Sequence, residues 1–149
     1  MAQPINITFD DTPMPLQLIS NLAETPFELD GCRYASIEAF WQGLKFANLA
    51  KRAELAHLTG HAAKSAGDKA PKASVIVYQG AYIKTGSPAH WLLMERACRA
   101  KFLQCEAARS ALLATGQTPL KHKVKVDSRT IPGVVMAEIW MRIRAELPT

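Results

Sequence analysis

The stretch Pro26–Phe46, PFELDGCRYASIEAFWQGLKF, decides the fold of this chain. Asp30-Gly31 stands between the short runs Phe27-Glu28-Leu29 and Cys32-Arg33-Tyr34, and Asp-Gly supplies the positive φ that a two-residue hairpin turn needs. The pattern predicts a β-hairpin. Ser36 then precedes Ile37, Phe40, Trp41, Leu44 and Ala47, a stripe at helical spacing, and a serine there accepts a bond from the free amides of a first helical turn. A helix is expected from Ser36 to Asn48. Glu38, Trp41, Gln42 and Lys45 repeat the i, i+3, i+4, i+7 spacing along the border of that stripe, so one face presents a carboxylate, an indole, an amide and an amine together.

Over the interval from Glu38 to Lys45 an α-helix rises about 10 Å and makes nearly two turns. The two side chains point the same way but stand too far apart to pair, and a small molecule fits between them. The plainer alternative is that Glu38 complements the positive helix N-terminus and Lys45 is a solvated charge.

Outward from this unit, Ile5 to Phe9 reads as a short strand, and the Pro13 and Pro15 segment leads to a Ser20-Asn21 turn. Helices are expected from Ala50 to Leu58, ending at Gly60, and from His61 to Ala66. Ser74 to Ile83, rich in β-branched and aromatic residues around Gln79-Gly80, reads as a strand or hairpin. Ser87 as cap and Pro88 in the first turn open a long helix to about Cys105. Another runs from Glu106 to Thr115-Gly116, and a last from Val134 to Leu147. Lys121, Lys123 and Lys125 alternate with His122, Val124 and Val126. That alternation predicts a strand with three amines on one face and its apolar side inward; the amines either attract phosphates or guard a sheet edge. The fold class is α+β, predominantly helical, with a small β-hairpin and short strands packed on a helical core.

A chain of 149 residues, 48% hydrophobic, fits one domain over 1–149, with 1–19 as a strand and loop leading in. It carries neither a charged n-region with an apolar run nor a bilayer-length apolar stretch. A cytoplasmic protein without a membrane partner is expected. Cys32, Cys98 and Cys105 lack ligand spacing and read as reduced core residues, and His57 and His61 are separated by the helix-breaking Gly60. Neither a metal site nor a cofactor is expected. The net charge of +5 is unevenly spread, −5 up to Glu38 and +10 from Ala39 onward. Nucleic acid is therefore an open partner for the basic C-terminal part, and Arg96, Arg99 and Lys101 on the long helix are candidate phosphate contacts.

The succession of motifs resembles the NADAR superfamily, the YbiA-like proteins. It comprises Ser20-Asn21-Leu22; Pro26-Phe27 with Asp30-Gly31 and Tyr34; Ser36-Ile37-Glu38 with Gln42 and Lys45-Phe46; Ala63-Lys64 with Gly67; Met94 through Lys101-Phe102-Leu103-Gln104; and Leu112-Leu113-Ala114-Thr115-Gly116. The resemblance implies a YbiA-like domain and an N-glycosidase that cleaves the bond between a ribose carbon and a base nitrogen, in early riboflavin-pathway intermediates or ADP-ribosylated compounds. It puts the family's glutamate at Glu38 and its lysine at Lys45 as catalytic residues. Ser20, Asn21, Trp41, Gln42, Lys64 and Asp127 become expected contacts for a phosphorylated ribosyl or nucleotide-like substrate. Breaking such a bond profits from a proton donor for the leaving nitrogen, a base for water, or an amine that traps the opened sugar. Burial beside Trp41 and Phe46 would free Lys45 of its proton, whereas an ionised Glu38 would keep it charged and suited to a phosphate.

Departures from the family pattern fall late in the chain. Gly86 stands where the family has a tryptophan, and Asp127 is followed by Ser128-Arg129-Thr130-Ile131-Pro132-Gly133 in place of a Trp-Gly and Asn-bearing loop. His90, Trp91 and Tyr82 are the candidates to line the pocket instead. Two readings stay open: a hydrolase of an N-glycosidic bond, or a module that binds ADP-ribose, a nucleotide or nucleic acid without turning it over.

Overall fold

The computed structural model describes residues 3–148. Strand β1 (Ile5–Asn6) is followed by a 3-10 turn at Leu16–Ile19 and by the hairpin β2 (Phe27–Leu29) and β3 (Cys32–Tyr34). Asp30 and Gly31 take φ values of 52° and 84° in its turn, as the Asp-Gly pair predicts. Helices α1 (Ile37–Gly43), α2 (Leu49–Leu55) and α3 (Gly60–Ala66) come next, then the hairpin β4 (Val75–Tyr78) and β5 (Ala81–Lys84) turning on Gln79-Gly80. The long α4 (Pro88–Gln104), α5 (Glu106–Ala114), β6 (Leu120–Lys121) and α6 (Gly133–Glu146) complete the chain. Among the described residues the three sheets are two-stranded: β2–β3 and β4–β5 are antiparallel, and β1 lies parallel to β6 with Ile5 opposite Leu120. The molecule is α+β and mainly helical, as the sequence predicts.

The core gathers around α4, whose buried Met94, Ala97, Cys98 and Phe102 meet Phe27 and Phe40 from the hairpin and α1, Leu112 from α5, and Ile139, Trp140 and Ile143 from α6. In helix α1 burial extends beyond the apolar stripe. All seven of its residues are buried, so the charged and polar groups it carries are held inside the fold.

Five further expectations are corrected. The first helix stops at Gly43 rather than Asn48: Lys45 and Phe46 close tight turns onto Gln42 and Gly43, and the Asn48 side chain caps α2 by accepting from Lys51 N. The N-terminal strand ends at Asn6 because Thr8 N donates to Thr12 Oγ1 and Asp11 N to Thr8 Oγ1, curling the chain away. The strand predicted through Lys121, Lys123 and Lys125 ends at Lys121; Val124 and Val126 are exposed, not inward, and all three lysines are exposed, Lys123 and Lys125 on the loop that follows. Of the cysteines only Cys98 is in the core, Cys32 being exposed and Cys105 half-buried.

The fifth concerns the basic groups of α4, which are committed to the chain itself. Arg96 pairs with Asp30, Arg99 with Glu95 and Glu146, and Lys101 is fully buried.

Candidate active site

Glu38 enters the site through three backbone and cap contacts. Ser36 Oγ caps α1 by accepting from Ala39 N at 3.1 Å and donates to Leu58 O at 2.8 Å. Glu38 N–H donates to Asn21 O at 2.8 Å. The Ser20-Asn21 segment is fixed in turn by Lys101, whose Nζ donates to Ile19 O at 3.1 Å and Ser20 O at 3.0 Å. Burial with only carbonyl partners lowers this ammonium to about 8. Ser20 and Asn21 thus support Glu38 through their backbones. Ser20 Oγ accepts from Leu22 N, Asn21 Nδ2 donates to Met136 Sδ, and Asn21 Oδ1 is buried without a partner among the described residues.

The Glu38 side chain is 8% exposed and accepts from Gln42 Nε2 at 2.5 Å, one turn on. Burial pushes this carboxyl above the usual range, while the Gln42 bond and the charges of Lys64, Lys45 and His122 act against that rise. Gln42 Oε1 is buried and packs on Gly67, where an added Cβ would lie 1.7 Å from it. That close approach explains why glycine sits at position 67. His122 donates from Nδ1 to Ile7 O at 2.7 Å, since a carbonyl only accepts.

Trp41 and Lys45 border a cleft of about 450 Å³ together with Gly67, Lys72, His90 and Arg129. The Trp41 indole is stacked on the His90 imidazole, 3.9 Å between centroids and 9° between planes. His90 therefore occupies the wall, while Tyr82 is 81% exposed and Trp91 donates from Nε1 to Thr130 O. Lys45 is exposed; it also borders a second cleft of about 760 Å³ with Phe46, Arg52 and Val77. The burial beside Trp41 and Phe46 that would favour a neutral amine is absent. Lys64 is likewise exposed on α3. Asp127 Oδ1 accepts from Ser128 N at 3.0 Å and Gly133 N at 2.8 Å, closing the loop onto the start of α6.

The structure thus sets Gln42 on Glu38 within reach of the Lys45 and Lys64 charges, puts Trp41 and Lys45 but not Glu38 on the walls of the 450 Å³ cleft, and assigns Ser20, Asn21 and Asp127 hydrogen bonds within the chain. Sequence reasoning missed His122 beside Glu38, and nothing local signals it. It also gave Lys101 the wrong direction, outward toward a phosphate. Among the described residues no three His, Cys, Asp or Glu side chains gather as a metal site would require.

The chain belongs to the bacteriophage protein GP30.3 family, whose profile matches residues 14–142. It is 31% identical over 113 residues, 74% of each chain, to the 17.1 kDa protein of the Gp30–rIII intergenic region of Enterobacteria phage T4. The solution structure of the E. coli protein YbiA superposes with a TM-score of 0.69 at 23% identity, covering 98% of this chain and 86% of that one. The YbiA-like fold expected from the motifs is the fold found.

Proposed function

We infer that this protein is an N-glycosidase that hydrolyses the C–N bond between ribose and a nitrogenous base in a phosphorylated or nucleotide-like ribosyl substrate, a riboflavin-pathway intermediate or an ADP-ribosylated compound. The observation that carries the reading is Glu38: a buried carboxyl, pushed upward by its surroundings, fixed by Gln42, with lysines near enough to act on it. A carboxyl whose pKa is raised gives a proton to a leaving nitrogen and, once ionised, takes one from water. The electron-poor ribosyl carbon formed as the bond breaks is the centre that this water attacks. Lys45, being exposed, serves as the charge that holds a substrate phosphate, with Lys64 beside Glu38 as a second cation. Borohydride reduction during turnover is expected to leave Lys45 unmodified; a trapped adduct would reinstate it as a Schiff-base nucleophile.

The second reading, a module that binds ADP-ribose, a nucleotide or nucleic acid without turnover, draws support from the His90 ring that covers a Trp41 face and from the exposed Lys121, Lys123 and Lys125. Incubation with ribosylamine phosphates, NAD, ADP-ribose and ADP-ribosylated guanine separates the two. Release of free base that Glu38→Gln lowers by at least ~10²-fold supports the hydrolase. Salt-sensitive binding to nucleic acid without base release supports the module.

A further inference from the structure

His90 is 3% exposed, and its place in the fold fixes its chemistry. It lies in the first turn of α4, where His90 N donates to the capping Ser87 Oγ. In return, Gly86 N–H donates to His90 Nδ1 at 3.0 Å. A backbone amide can only donate, so Nδ1 is an unprotonated acceptor and the ring's hydrogen resides on Nε2. The imidazole is therefore neutral. Burial agrees, lowering its pKa to about 4. Nε2 finds no hydrogen-bond partner among the described residues, yet it is not among the sealed polar atoms, and the ring borders the Trp41 cleft. A bound group carrying an acceptor would satisfy it.

The charged groups around the cleft define that acceptor. Lys45 comes from the turn after α1, Lys72 from the segment before β4 and Arg129 from the loop before α6, opposed by Asp68. Three cations against one carboxylate, with the Ser128 hydroxyl on the same walls, suit a phosphoryl oxygen rather than a cation or an apolar ring. We propose that the cleft is a phosphate-monoester subsite in which His90, locked as the neutral Nε2–H tautomer, donates to a phosphoryl oxygen while Lys45, Lys72 and Arg129 balance its charge. This rests on the substrate class proposed above but not on turnover.

A locked neutral donor has a distinctive pH signature. Binding should strengthen as the monoester takes its second charge near pH ~6 and should not weaken between pH 6 and 8, whereas an imidazolium donor would lose its proton across that range.

The probe is ribose 5-phosphate, with ribose as the arm lacking phosphate, added to protein carrying 15N-labelled histidine. Expected are a neutral Nε2–H tautomer of His90 at pH 7, a shift of that signal with ribose 5-phosphate and none with ribose, and binding that grows from pH 5 to 7 and then holds. His90→Phe, which keeps a ring against Trp41, should weaken binding roughly ten-fold or more, the worth of a bond to a charged group. A protonated or Nδ1–H ring at pH 7, an unmoved signal at saturation, or affinity that falls between pH 6 and 8 overturns the proposal, and these need no variant to fold. Phosphate binding with no base release from any substrate would reject the hydrolase and keep the subsite; base release without probe binding would do the reverse.

Discussion

Gly67→Ala tests the geometry that holds the glutamate. Gly67 has φ −71°, so alanine meets no backbone strain there, and the effect is steric. The new methyl would stand 1.7 Å from Gln42 Oε1 and 2.6 Å from its Cδ, with Gln42 Cβ at 3.2 Å. Gln42 must leave its position, and its bond to Glu38 goes with it. Overpacking of a buried site costs about 1–3 kcal/mol and a lost hydrogen bond to a charged group about 1.5–3 kcal/mol. The stiffer unfolded chain returns about 0.4–1 kcal/mol, which leaves a net loss near 3 kcal/mol in urea denaturation. The Gln42 bond lowers the Glu38 pKa, so its loss should move the carboxyl further up when followed by 13C NMR of labelled glutamate. Adding Gln42→Ala removes the clash, so the double variant should be more stable than the two single losses summed. A Gly67→Ala protein within ~1 kcal/mol of wild type, titrating Glu38 unchanged, would refute the reasoning.

Four further outcomes follow from the same contacts. Lys101→Met should lower stability by about 1–3 kcal/mol by leaving the Ile19 carbonyl without a donor and the Ser20 carbonyl with Ala23 N alone, and should shift the Asn21 and Glu38 amide signals more than those of α6. Glu95, bound by Arg142 and Arg99, is held below its ordinary value of 4.5. Its contribution is present above that pH and lost as pH falls through the lower folded value, so Glu95→Gln should cost about 1 kcal/mol at pH 7, the guanidiniums being partly solvated, and nothing well below pH 4. Glu38 is raised, and its contribution is fully present below 4.5 and fades as pH rises through the folded value. Glu38→Gln should therefore gain on wild type in melting temperature from acid toward neutral pH. Asp127→Ala should remove the acceptor of Ser128 N and Gly133 N and cost about 1 kcal/mol, as lost helix caps do.

Which of these contacts were legible in the sequence follows from how local their causes are. Asp30-Gly31 and Gln79-Gly80 announce their turns because backbone conformation is decided within two residues. Ser87 and Pro88 announce α4 in the same way. Glu38, Trp41, Gln42 and Lys45 were legible as one group because helical spacing is a local property, but not which of them is buried. That depends on α2, α3 and α4 packing against α1, and it separates the buried Glu38 from the exposed Lys45. The pairing of Ile5 with Leu120 spans most of the chain and leaves no local trace. Lys101 was misread because lysine is rarely buried, and only the assembled fold supplies the two carbonyls that hold it.

The central claim is that Glu38 performs acid–base work on a ribosyl C–N bond. Its most direct test is base release by wild type and Glu38→Gln, both shown folded, from ribosylamine phosphates and ADP-ribosylated guanine. The account predicts release by wild type and a loss of ~10² or more in the variant; no release from any substrate, or equal release by both proteins, would contradict it.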